Sequence, residues 1–107
     1  MEKGPSTWGD TWTSDLSEEL HFNKHARKMG YNTKNEYTNA AKKLANAKGN
    51  SISSFRAKNG STYIYDSNTN QFLIISKNGN IVTFFSLSGG EGYFDSQFNN
   101  YGDYLID

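Results

Sequence analysis

Four apolar runs of strand length follow one another between residues 51 and 87: SISSFRA (51–57), STYIYD (61–66), QFLIIS (71–76) and IVTFFSL (81–87). Within the runs apolar side chains recur at every second residue, the repeat of a strand with two unlike faces. The links between them, residues 58–60, 67–70 and 77–80, carry Asn59-Gly60, Asn68-Thr69-Asn70 and Lys77-Asn78-Gly79-Asn80. Links this short join antiparallel neighbours, and Asn-Gly is the strongest short hairpin signal. The pattern predicts a four-stranded antiparallel meander.

Upstream the period changes to that of a helix. Thr33 followed by Glu36 has the form of a capping box, and Tyr37, Ala40, Ala41, Leu44 and Ala47 recur at helical spacing until Gly49. Before it, Asp15 as N-cap with Glu18 three residues later predicts a helix that Gly30 stops in a left-handed turn. Phe22, Ala26 and Met29 share one face of that helix, and His21 and His25 lie beside it, at the edge of the buried surface where a cleft can form. Residues 1–14, MEKGPSTWGDTWTS, hold the only proline and no usable period. They read as a linker or N-terminal arm, which leaves 15–107 as the domain. After Gly89, Tyr93, Phe94, Phe98, Tyr101 and Tyr104 are loosely spaced, compatible with a last short strand or a draped segment. Helices first and a meander second indicate an α+β fold. N-terminal helices pack on one face of a twisted four- to five-stranded antiparallel sheet, and the other face is left for a ligand.

A chain of 107 residues makes one domain with a modest core. Its mean hydropathy of −0.79 is polar for a globular protein, so the core must rest on the aromatic residues, 15% of the chain. With no cysteine, disulfides and thiolate metal sites are excluded. No apolar run approaches the roughly 18 residues of a membrane-spanning helix, and residues 1–20 lack a signal-peptide core. The chain is expected to be soluble, without membrane binding, and any export signal is expected elsewhere. Its zero formal net charge conceals an asymmetry: residues 21–60 carry nine Lys/Arg against one acid, Glu36, a net of +8, and each flank carries −4. A basic middle can attract a polyanion, or its lysines can simply solvate helix faces.

The only histidines are His21 and His25, four apart in HFNKHARKMG (21–30). That is also a zinc-ligand spacing, with Glu18 as a third candidate, but there is no His-Glu-x-x-His order and no further histidine. No Gly-x-Ser-x-Gly elbow exists for a serine hydrolase, and SGGEG (88–92) lacks the lysine of a phosphate loop. Metal-independent RNA cleavage needs fewer parts. A base takes the 2′-OH proton, cations and hydroxyls hold the phosphate, and an acid protonates the leaving 5′-oxygen. His25 and His21 have the side chain whose ordinary pKa suits both transfers, Lys24 and Arg56 could hold the phosphate, and aromatic rings on the open sheet face could stack a base. The plain alternative is a pair of surface or capping histidines, and for Thr83 a β-branched strand residue.

The order of these pieces carries a resemblance. KHARKMG at 24–30, then a helix, then YIYDSNTNQFLIISKNGNIVTFFSL at 63–87 resembles the colicin D-like nuclease domains and the toxin tips of contact-dependent inhibition and other polymorphic toxins. Such domains are ribonucleases, commonly cleaving transfer RNA, on a helices-plus-twisted-sheet fold shared with barnase-like and RelE-like nucleases. The resemblance implies that His25 is catalytic, that Lys24 holds the phosphate, and that Thr83 and Phe85 stand where the family has a serine and a tryptophan. Where the family pattern has a lysine this chain has Phe22. His21, one residue earlier, then replaces the lost cation or acts as the second proton-transfer group. The expected catalytic set is His25, His21, Lys24 and Thr83, and the expected substrate-binding set is Arg56, Lys28, Phe85 and Tyr63. No metal or other cofactor is expected. The implied partners are RNA, chiefly transfer RNA, and an acidic immunity protein. The domain would be delivered, secreted or from the cell surface, as the C-terminal part of a larger toxin, and would act in the target-cell cytoplasm. The alternative is a non-catalytic basic module that docks an acidic protein.

Overall fold

The computed structural model describes residues 8–9, 11–87 and 90–106, the side chain of Glu91 excepted. Helix α1 (Asp15–His21) runs directly into a π-helical segment (Phe22–Ala26). Then come α2 (Lys34–Ala45), strands β1 (Ile52–Ala57), β2 (Thr62–Asp66), β3 (Gln71–Ile75) and β4 (Ile81–Ser86), helix α3 (Gly90–Tyr101) and strand β5 (Gly102–Ile106). The five strands form one open sheet, ordered β4-β3-β2-β1-β5, with every neighbouring pair antiparallel. This is the α+β architecture that the change of period predicts.

Helix boundaries follow from their caps. The Thr33 hydroxyl accepts from Glu36 N–H at 3.1 Å, and the Glu36 carboxylate accepts from Asn32 and Thr33 N–H at 2.9 and 3.3 Å. Two otherwise orphaned donors of α2 are thereby satisfied. The helix ends at Ala45, before the expected stop at Gly49. In α1 the N-cap is Ser14 rather than Asp15, its hydroxyl accepting from Ser17 N–H at 3.0 Å. Glu18 therefore does not close a capping box. Its carboxylate accepts from the Thr38 hydroxyl at 2.8 Å and ties α1 to α2. Gly30 takes φ +93°, a left-handed conformation that costs glycine little.

The sheet is buried on both faces. Toward α1 and α2 it presents Ile64, Leu73, Ile75, Ile81 and Phe84, packed with Tyr37, Ala41 and Leu44 of α2. The Tyr37 ring is fully buried, and its hydroxyl donates to the Phe84 carbonyl. Phe55, Ala57, Tyr65 and Phe72 point the other way, against Phe94 of α3. The expectation that this second face stays open is thus corrected. A surface carrying Phe55, Tyr65 and Phe72 is too apolar to leave uncovered, and α3 covers that part of it. The helix passes into β5 without a loop, which requires Gly102: a Cβ there would lie 2.2 Å from Phe98 Cδ1.

Part of the segment read as a linker packs on the domain. Trp12 is buried and forms a parallel bridge with Ile81 at the β4 edge, where Thr13 N–H donates to the Ile81 carbonyl at 3.1 Å and Ile81 N–H donates to Thr11 at 2.8 Å. The Trp12 indole N–H donates to the Thr38 hydroxyl at 2.9 Å, completing a Trp12–Thr38–Glu18 chain. Residues 1–7 and 10 of that segment lie outside the described residues. No described helix is long and apolar enough to cross a membrane.

Candidate functional site

β4 is an edge strand, and the helical turn carrying both histidines closes over that edge. The register of β4 on β3 slips between Ile74 and Ile75, pairing Ile75 with Ile81 and Ile74 with Thr83 and skipping Val82. Simple alternation would put Ile81, Thr83 and Phe85 on one face. The slip instead turns Ile81 into the helix-side core and leaves Thr83 and Phe85 on the opposite face. Bulges commonly re-aim side chains in this way beside functional sites.

The π-helical segment brings its own distortion, widening the turn that holds Lys24 and His25. Ala26 is fully buried, and Phe22 and Met29 pack partly against the core, as the shared face predicts. His21 and His25, both half-buried, stack with their ring centroids 5.9 Å apart and planes 11° from parallel. The stack continues in both directions. His21 lies on Trp12 at 5.6 Å, and Trp12 lies on Tyr37 at 5.5 Å. On the other side His25 meets Phe85 at 5.7 Å and Phe85 meets Phe72 at 5.5 Å. Thr83 Oγ1 is 3.3 Å from His21 Nδ1. A hydroxyl can donate to a neutral imidazole there and accept from a protonated one, so the ring is held in either state with Nε2 directed elsewhere.

Both histidines are easier to deprotonate than free imidazole. Burial is the main cause for His21, with the Lys24 ammonium acting in the same direction. Burial also leads for His25, reinforced by positive charge on His21, Lys24 and Lys28. Two stacked imidazoles flanked by lysines resist carrying two protons at once, which leaves one site protonated and the other neutral over an intermediate pH range. Lys24 and Lys28 are exposed, and Lys24 lines a shallow depression with Leu20, His21 and Asn23.

Of the expected residues, His21, His25, Thr83 and Phe85 come together in direct contact, with Lys24 and Lys28 close enough to act on His25. Tyr63 shares their sheet face two strands away, since Tyr63 pairs with Ile74 and Ile74 with Thr83. Arg56 is not brought there. It lies on β1 opposite Thr62, three strands from β4, and alternation turns it to the opposite face from Phe55. Its Nε is buried without a hydrogen-bond partner. Glu18, weighed as a metal ligand, is turned toward Thr38, and no three His, Asp or Glu side chains gather to form a metal site among the described residues. Sequence reasoning missed Trp12 and Tyr93, whose ring meets both Phe85 and Phe72. Two tryptophans, Trp8 and Trp12, inside a mostly polar arm are the signal that could have found the first.

No protein-family model matches the chain, and no curated protein matches it.

Proposed function

We propose that this chain is a metal-independent endoribonuclease, the nuclease domain of an antibacterial toxin acting on transfer RNA, with His25 as general base and His21 as general acid. The supporting observation is the stacked, half-buried His21–His25 pair, held by Thr83 and Trp12 at the β4 edge beside exposed Lys24. Positive charge acts on His25 from His21, Lys24 and Lys28 and on His21 from Lys24, surroundings that suit His25 to the role of base. His21 stacks on the Trp12 indole, and when protonated it can donate Nδ1–H to the Thr83 hydroxyl. In the cleavage step His25 removes the 2′-OH proton and the 2′-oxygen attacks phosphorus. The bond to the 5′-oxygen breaks, and His21 delivers a proton to that oxygen. The products are a 2′,3′-cyclic phosphate and a 5′-OH. Lys24 neutralises charge building on the non-bridging oxygens, and Phe85 offers a ring for a base displaced beside the cut.

Delivery as part of a larger toxin and the choice of transfer RNA rest on the resemblance of KHARKMG and the meander to colicin D-like domains. A nuclease that can kill its maker needs an inhibitor. The net +8 of residues 21–60 suits an acidic immunity protein that covers Lys24 and His25. The experiment is incubation with total cellular RNA in the presence and absence of EDTA, followed by sizing and end analysis. Cleavage that survives chelation and leaves cyclic phosphate and 5′-OH ends is expected. If the RNA stays intact while an acidic protein still binds residues 21–60, the non-catalytic docking module is the better reading. Activity lost to EDTA and restored by zinc would make the two histidines metal ligands.

A further inference from the structure

The row Thr83–Ile74–Tyr63 crosses the sheet from the histidine pair toward α3. At about 4.8 Å per strand, Tyr63 begins roughly 10 Å from Thr83. There the face opens into a separate cavity of about 170 Å³, lined by Ala57, Lys58, Asn59, Tyr63, Asn100 and Tyr101. It is built by the junction of α3 with the β1–β2 turn, where Lys58 N–H donates to the Tyr101 carbonyl at 3.0 Å. The Asn59 carboxamide oxygen accepts from Ser61 N–H at 2.9 Å, which fixes its orientation and presents its NH2 as a donor. Tyr63 is half-buried and stacks on Phe55 at 4.6 Å, whereas Tyr101 and Asn100 are exposed. Two tyrosines, two asparagines and a lysine thus line a space about the size of a planar heterocycle.

Resting on the ribonuclease reading above, we propose that this cavity binds a nucleobase of the RNA that flanks the cleaved phosphate. Tyr63 and Tyr101 supply ring contact, the amides of Asn59 and Asn100 meet the hydrogen-bonding edge of the base, and Lys58 faces its phosphate. Carboxamides pair well with base edges, and aromatic rings tolerate any base. The lining of the cavity is mostly apolar, as a stacking site requires, with the polar residues Lys58, Asn59 and Asn100 beside the rings. Its position on the same face as Thr83 lets one single strand reach both places.

The test is a titration of the wild-type protein with 5′-AMP, 5′-GMP, 5′-CMP and 5′-UMP, followed by NMR shifts of the Tyr63 and Tyr101 rings. At least one nucleotide is expected to shift both. In Tyr101→Ala, at an exposed position where folding is little affected, binding should weaken roughly tenfold or more, the loss typical of a missing stacking ring. No shift at either tyrosine with any of the four overturns the proposal, whether or not the protein cleaves RNA. Where wild type does cleave, Asn100→Ala is expected to alter the base preference next to the cut while His25-dependent cleavage persists. An unchanged preference would leave the ribonuclease reading standing and remove the base site.

Discussion

Among single side chains, His25 separates chemistry from folding. It stands half-buried at the margin of a turn whose packing comes from Ala26, Phe22 and Met29, so His25→Ala removes the proposed proton-transfer group and its ring contacts with His21 and Phe85 while leaving that packing in place. A fall in RNA cleavage of about 10²- to 10⁴-fold with a nearly unchanged melting temperature is expected, read by parallel rate and thermal-unfolding measurements. Thr83→Val keeps the β-branched shape and removes only the hydroxyl that meets His21, so its effect should be smaller and confined to turnover. The depressed histidine pKa values also couple to stability. Both groups bind protons more weakly folded than unfolded, where the ordinary value is 6.5, so the unfolded chain gains protons first as pH falls. Their contribution is complete above 6.5 and declines as pH drops through the folded values. Urea denaturation at pH 7.5 and pH 5.5 should show a smaller pH-dependent loss in the His21→Ala/His25→Ala double variant than in wild type.

Among the secondary-structure elements, what the sequence conveyed was local and what it withheld was tertiary. The Thr33–Glu36 cap, the Tyr37–Ala41–Leu44 face and all four strands of the meander are written in short-range patterns, and each appears in place. The histidine pair and its meeting with Thr83 and Phe85 followed from spacing together with resemblance. Helix α3 was not anticipated, because Gly90, Gly92 and an asparagine-rich end have poor intrinsic helicity. Phe94, Phe98 and Tyr101 nevertheless stand at helical spacing, and burial of Phe94 outweighs that propensity. Arg56 could not be placed without knowing which face of β1 each residue takes. Trp12 gained its role only through contact with elements distant in sequence, and there the Trp12–Thr38–Glu18 chain makes a prediction. Thr38→Val leaves the indole N–H of buried Trp12 without its acceptor and should cost about 1–3 kcal/mol of stability in chemical denaturation. Because Trp12 also backs His21, the same variant should lower turnover more than RNA affinity.

For the molecule as a whole, function is a matter of how charge and chemistry are distributed over an electrically neutral chain. The +8 of residues 21–60 lies in the stretch of sequence that begins with the histidines, between two flanks of −4. RNA binding should therefore weaken steeply as salt is raised, and Lys24→Ala should reduce that salt dependence, as a logarithmic plot of affinity against salt would show. The sheet fixes Thr83 and Phe85, the end of α1 fixes His21, the π-helical turn that follows fixes His25, and the docked arm presses Trp12 behind them. The two histidines thus differ in surroundings while touching each other, which is what a division into acid and base requires. That division is read by the pH dependence of single-turnover RNA cleavage in wild type, His21→Ala and His25→Ala. Wild type should give a bell with its maximum below pH 6.5, since both groups titrate below the ordinary imidazole value. The residual activity of His25→Ala should lose the acidic limb, and that of His21→Ala the alkaline limb. A wild-type bell kept intact in both variants, or full cleavage without either histidine, would contradict the account.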